Sequence, residues 1–185
     1  MADRLKAVTP PFRVSFPSII EASSYQGSDP KYSVVMLFYP DKFTDADKKA
    51  WQTMQSIADA AAKDKFKKLI KDLPANFKRP IRDGEEKGHL EGYGTGVMFA
   101  TASSKQRPGL VDRTKQPILT EEDFYPGCWA RATVTAYGYD NVGKGVAFGL
   151  HNVQKLGDDD NFTGRVAAED DFGDDADDVW QGSDI

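Results

Sequence analysis

From Cys128 to Tyr139 the chain alternates without a break. Cys128, Ala130, Ala132, Val134, Ala136 and Gly138 are small and mostly apolar, whereas Trp129, Arg131, Thr133, Thr135, Tyr137 and Tyr139 are aromatic, basic or hydroxylic. A period of two residues belongs to a strand and sends the two sets to opposite faces. The stretch from Gly145 to Lys155 carries Val146, Phe148 and Leu150 on one parity, continued by Asn152 and Gln154, and Asp140 to Lys144 supplies turn residues between the two arms. Phe124 to Gly157 therefore reads as one long β-hairpin, which commits the chain to a mainly β fold. Gly145 and Gly149 inside the second arm suit the bulges or bends that close a small barrel.

The polar face of the first arm sets flat rings beside a guanidinium, as a single-stranded nucleic-acid platform requires for base stacking and phosphate neutralisation. Aromatic and β-branched residues also furnish any half-buried strand, so alternation alone leaves packing and binding both open. Gly138, Gly143 and Lys144 have the spacing of a phosphate-binding loop. Gly145 stands where that loop needs Ser or Thr for magnesium, and a strand follows where a helix is required, which excludes it.

Along the rest of the chain, residues 1–9 read as loose. Phe12, Val14 and Phe16 share one face of a first short strand, with Arg13 on the other, and Pro17 is expected to end it. Lys31 to Tyr39 is a second strand, apolar enough to be covered on both faces. Thr44-Asp-Ala-Asp47 resembles a capping box and opens the one clear helix, expected over about 45–72, with Ala50, Trp51, Met54, Ile57, Ala58, Ala61, Leu69 and Ile70 as its core stripe. Lys63, Lys65, Lys67, Lys68 and Lys71 near its end suit a solvated face at the negative pole of the helix dipole. Residues 75–96, dense in charge and glycine, are expected to form a mobile excursion whose Lys78, Arg79 and Arg82 are placed to close over a bound strand. Further strands are expected at 97–102 and 110–113. The order β-β-α-loop-β-β-β-β suits a small barrel carrying an inserted helix.

Charge divides the chain unevenly. Of its 29 acidic and 24 basic residues, eleven acids and one arginine lie in 158–185, a net of −10, which leaves +5 for residues 1–157. A mildly basic body with an acidic tail fits nucleic-acid binding plus an interaction segment. The tail cannot bury enough apolar area to repay its ordering entropy and is expected to be disordered. The lone Cys128 reads as a buried thiol, and with only His89 and His151 beside it there is no zinc constellation, so neither metal nor cofactor is expected. With no apolar run of about 18 residues and no signal-peptide core, a soluble cytoplasmic protein without membrane contact is expected.

The segments FRVSFPSI, KYSVVMLFYP, PIRDGEEK, PGLVDR, FYPGCWARATVTAYGYDNVGKGVAFGLHNVQKL and AEDDF, in this order, span most of Phe12 to Phe172. Together they resemble a family of tailed-phage single-stranded DNA-binding proteins with an oligonucleotide/oligosaccharide-binding (OB) fold and an acidic C-terminal tail, related in style to the replication accessory proteins of podophages. The resemblance implies an OB-fold-like five-stranded barrel over 1–157 with the helical insertion, and a disordered tail over 158–185. It implies sequence-tolerant coating and protection of single strands in phage replication or recombination, in the cytoplasm of an infected bacterium, without catalysis. Replication or recombination proteins would be recruited by the tail, or the tail would compete with DNA, and copies would pair or assemble cooperatively on the strand.

On this reading Trp129, Tyr137, Tyr139, Tyr32 and Phe148 stack on bases, while Arg13, Arg79, Arg82, Arg131 and Lys144 meet phosphates. Asp170, Asp171, Phe172, Asp174, Asp175, Asp177, Asp178 and Trp180 of the tail engage partners. Two other readings compete. One is a small metal-dependent nuclease using Asp83, Glu85, Glu86 and Asp112, although no spacing makes these carboxylates converge. The other is a structural protein that binds only protein partners through its tail.

Overall fold

The computed structural model describes residues 5–24 and 27–163. Its strands are β1 (Lys6–Val8), β2 (Phe12–Ser23), β3 (Lys31–Phe38), β4 (Arg82–Asp83), β5 (Met98–Ser104), β6 (Gly109–Val111), β7 (Trp129–Asn141) and β8 (Gly143–Gly157), with helix α1 at Asp45–Phe66. Antiparallel pairs β2–β3, β3–β5, β7–β8 and β2–β7 join a parallel pair β5–β8. The five strands β2, β3, β5, β8 and β7 thus close into the expected barrel. Outside this ring β1 adds to β7, β6 to β8 and β4 to β5. Two of the seams are short, β2 meeting β7 at Phe12 and Arg13 and β5 meeting β8 at Ala102 and Ser103. No helix among the described residues is long and apolar enough to cross a membrane.

Alternation on β7 turns its small face inward. Cys128, Ala130, Ala132 and Val134 are buried with Phe12 and Val14 of β2, Met36 and Phe38 of β3, and Val146, Phe148 and Leu150 of β8. Met54, Ile57, Ala58, Ala61 and Ala62 of α1 enter the same core, which the alanines of β7 leave room for. At Gly138 a Cβ would stand 2.9 Å from Cδ of Lys65, so glycine lets the last turn of α1 lie on the hairpin. Phe148, expected to stack on bases, is 1% exposed. It lies opposite Ala102 and Ala136 on the inward parity, so its ring is core.

The capping box forms: Thr44 Oγ1 accepts from the Asp47 N–H at 3.2 Å and Asp47 Oδ2 from the Thr44 N–H at 3.0 Å. The helix ends at Phe66 rather than near 72, because Lys67 turns left-handed with φ of 63° while its N–H still reaches Lys63 O. A separate 3-10 turn follows at Ile70–Asp72, started by Asp59, whose Oδ1 accepts from the Ile70 N–H.

Pro17 does not end β2. A register shift between the pairs Ser15–Val35 and Ser18–Ser33 makes a bulge around Phe16 and Pro17, and the strand continues to Ser23. A bulge leaves residues off the ladder, so the missing N–H of proline costs no ladder bond there. Phe16 leaves the core face on which simple alternation puts it and is 61% exposed. The segment read as loose also pairs: Lys6 and Val8 lie opposite Thr135 and Thr133, and Thr9 exchanges hydrogen bonds with Ala132. Residues 75–96 are tied down at several points. The Lys78 N–H donates to Lys144 O, Lys78 O accepts from Val146, and Tyr39 Oη donates to Gly92 O.

Past Gly157, where the tail was expected to begin, the chain stays against the body. The Phe162 N–H donates to Pro126 O at 2.9 Å, and the Phe162 ring packs on a second apolar cluster of Leu37, Val97 and Phe99 outside the barrel.

Candidate nucleic-acid interface

Strand register brings residues far apart in sequence into one row across the barrel's outer face. Val35 of β3 is opposite Thr101 of β5, the parallel pairing of Ala102 with Phe148 sets Thr101 beside Ala147 of β8, and Ala147 is opposite Tyr137 of β7. Against this row, between β5, β8 and the Phe77–Asp83 segment, lies a groove of about 670 Å³. Phe99, Thr101 and Ala147 line it together with Arg82, Lys78 and Tyr139.

Within it, the Arg82 guanidinium lies over the Phe99 ring, 5.0 Å from its centroid, and pairs with Glu86 Oε2 at 2.6 Å. Both charged groups are about half exposed, so the pair is a surface ion pair on an aromatic floor. Tyr139 is held close over Gly145, where a Cβ would stand 2.4 Å from the phenol oxygen, and desolvation raises its pKa above the ordinary tyrosine value. Tyr137 is 45% exposed. Lys78 Nζ donates to Val142 O at 3.1 Å at the hairpin tip, beside the exposed Lys144.

Arg79 lines the same groove, yet its guanidinium is committed elsewhere. Nη1 donates to the carbonyls of Pro74 and Phe77, and Nη2 to those of Ile70 and Leu73. It ties the turn after α1 together. Arg131, at the opposite end of β7 from Tyr139, donates Nε to Gln154 Oε1 at 2.8 Å and is exposed. Tyr32 is half-buried at the start of β3, opposite Ser104 at the far end of β5.

Arg13 and Trp129 pair across β2 and β7 and lie under the residues that follow β8. Trp129 Nε1 donates to Asp159 Oδ2 at 2.8 Å, and Arg13 Nη2 donates to Asp160 O at 2.8 Å and stands 3.5 Å from Asp159 Oδ1. The Phe162 ring stacks on the Arg13 guanidinium at 4.2 Å. Asp158 joins Lys155 Nζ at 2.7 Å and accepts from Tyr125 Oη. These bonds hold both carboxyls below the ordinary carboxylate pKa, through Lys155 first for Asp158 and the Trp129 indole first for Asp159. Burial, then the bond to Asp158, pushes the Tyr125 phenol up to about 12. A carboxylate on a guanidinium and an indole, with a ring on that guanidinium, has the chemistry of a phosphate and a base on the same groups.

The carboxylates weighed for metal chemistry serve local turns. Asp83 caps the Gly84–Lys87 turn, Glu86 pairs with Arg82, and Asp112 accepts from Thr114 and Gln116. No group of three or more His, Cys, Asp or Glu suited to a metal occurs among the described residues. Asp170, Asp171, Phe172, Asp174, Asp175, Asp177, Asp178 and Trp180 lie outside the described residues. Sequence reasoning missed Phe99 and Thr101, which sit in an apolar-looking strand and reach the groove through its pairing with β4 at Arg82 and with β8.

The sequence profile of a family described as the ssDNA-binding protein of Enterobacter phage Enc34 matches residues 5–180. Protein p50 of Acyrthosiphon pisum secondary endosymbiont phage 1 is 34% identical over 167 residues, covering 88% of this chain and 89% of that protein. Among solved structures, the single-stranded DNA-binding protein of bacteriophage Enc34, in complex with ssDNA, superposes with a TM-score of 0.68 at 21% identity, over 85% of this chain and 89% of that one. The single-stranded DNA-binding protein gp2.5 of bacteriophage T7 gives 0.55 at 15% identity over 99% of each chain. Both likenesses concern the fold.

Proposed function

The chain belongs to the family of the Enterobacter phage Enc34 ssDNA-binding protein, and from that premise we propose that it binds single-stranded DNA, largely irrespective of sequence, along the outer face of its barrel. The observation that carries this reading is the groove lined by Lys78, Arg82, Tyr139 and Ala147, in which the Arg82 guanidinium lies over Phe99, with the exposed Tyr137 opposite Ala147 on β7 and the exposed Lys144 at the hairpin tip. Flat rings accept any base and the cations take phosphates, so affinity comes without base readout. Arg131 and Tyr32 are outlying contacts, while Arg13 and Trp129 become available once Asp158–Phe162 lifts away. That segment then competes with the strand for the same two groups.

In this reading the protein coats and protects single strands during phage replication or recombination in an infected bacterium, and does no chemistry on them. Recruitment of replication proteins by the acidic tail, and assembly of copies along a strand, rest on the family resemblance and the tail's charge.

The test is the anisotropy of labelled oligo-dT titrated with the full chain at several salt concentrations. Saturable binding whose log K falls linearly with log salt is expected, with the slope reduced by about one in Arg82→Ala. Tyr137→Ala should weaken binding by about 1–3 kcal/mol with little change between oligo-dT and mixed sequences. Absence of binding at low salt sinks the proposal. A labelled strand shortened during incubation with magnesium or manganese would favour the nuclease reading instead.

A further inference from the structure

We propose that Phe16 is a base-stacking residue at the end of the strand path opposite Tyr137, an inference that rests on the single-stranded DNA reading above. Phe16 carries two costs that folding does not explain. Its backbone is left-handed, with φ of 43°, a region that bulky L-residues avoid because Cβ crowds the carbonyl. Its ring is also 61% exposed, so little of the apolar gain of a phenylalanine is collected. A glycine would take the same backbone without strain, and a polar residue would be better solvated.

The neighbouring structure does not call for the ring either. Core contacts from β2 come from Phe12, Val14 and Ile19, and the adjacent Ser15 is held by Tyr93 through a 2.9 Å hydroxyl pair. Bulges re-aim side chains beside functional sites, and strained residues persist where a ligand uses what they present.

Position supplies the ligand. Ser15, next to Phe16, is opposite Val35, which begins the row Val35–Thr101–Ala147–Tyr137. The bulge on β2 and Tyr137 on β7 therefore mark the two ends of one line across the strands, with the groove between them. At about 4.8 Å per strand the line covers roughly 19 Å of curved surface. Phe16 and Tyr137 are also the two aromatic side chains among the exposed large hydrophobic residues described. An extended strand laid along this row meets a free ring at each end and Thr101 and Ala147 between them, with Arg82 over Phe99 two residues along β5 from Thr101.

The test compares the full chain with Phe16→Leu, Phe16→Gly and Phe16→Trp in oligo-dT anisotropy and thermal melting. Phe16→Leu, which keeps apolar bulk but no ring, should bind at least fivefold more weakly, and Phe16→Trp should bind like the natural chain. Phe16→Gly, freed of the strained backbone, should melt no lower than the natural chain and still bind more weakly. Natural-chain affinity in Phe16→Leu overturns the assignment of Phe16 while leaving the DNA reading intact. Failure of the natural chain itself to bind oligo-dT defeats both.

Discussion

The Arg79 guanidinium gives its donors to four backbone carbonyls, whereas that of Arg82 lies over the Phe99 ring with Glu86 beside it. Arg79→Ala should therefore lower stability by about 1–3 kcal/mol in urea unfolding, since half-buried carbonyls lose their partner, and leave oligo-dT affinity of the folded protein unchanged. Arg82→Ala should do the reverse, and an exchange of the two outcomes would exchange the roles. Cys128 is fully buried, and burial pushes its thiol up to about 11. It should resist a thiol reagent at pH 8 until the protein unfolds, because the thiolate is the reactive form. For Asp158 and Asp159 the folded pKa lies below the ordinary 3.8, so their contribution to stability is present above that value and is lost as pH falls through the depressed one. Acidification well below 3.8, through the depressed value, should weaken the bond of Asp159 to the Trp129 indole, read as a change in tryptophan emission, while about pH 4 should leave it in place.

At the scale of elements, the segment after β8 and the bulge of β2 matter most. Asp158–Phe162 can lie on the body because residue 127 is glycine: φ is 111° there, and a Cβ would stand 2.0 Å from Asp160 O. Gly127→Ala should lift the segment without shortening the chain. Tryptophan emission should shift to the red, and oligo-dT affinity should rise if Arg13 and Trp129 are thereby released; unchanged emission would mean the segment is held without Gly127. Helix α1 depends on its cap in the ordinary way. Thr44→Ala should cost about 1 kcal/mol in urea unfolding, since the Asp47 N–H loses its acceptor.

For the whole molecule the balance of charge decides how strongly the body attracts a polyanion. Residues 164–185 hold eight acids and one arginine, a net of −7 within the total of −5, so residues 1–163 carry +2. A chain ending at Thr163 keeps Asp158–Phe162 but sheds that negative charge. It should bind oligo-dT more tightly than the full chain at about 0.01 M salt and equally at about 1 M, because the screening length falls from roughly 30 Å to 3 Å. An advantage that persists at high salt would point to a direct contact of the tail with the site rather than to its charge.

Much of this protein follows from local pattern. Strict alternation over Cys128–Tyr139 determined the hairpin, while which parity turns inward was decided by packing, where the small face of Ala130, Ala132 and Val134 leaves room for α1. Thr44 and Asp47 determined where α1 begins, since a capping box is satisfied within four residues, and the charge step near Gly157 is a matter of composition. Which rings stay free was decided by tertiary structure alone. Phe148 and Tyr137 read alike as strand aromatics, yet ring closure buries one and leaves the other 45% exposed. Phe16 follows the core parity of Phe12 and Val14 in sequence and escapes it at the bulge in the β2–β3 pairing. Thr101 comes beside Ala147, which faces Tyr137, through the parallel pairing of β5 with β8, and Phe99 meets Arg82 through β4; these are long-range contacts with no local signature. Exposure depends on which strand becomes the neighbour, and that choice is made by burial summed over the whole ring.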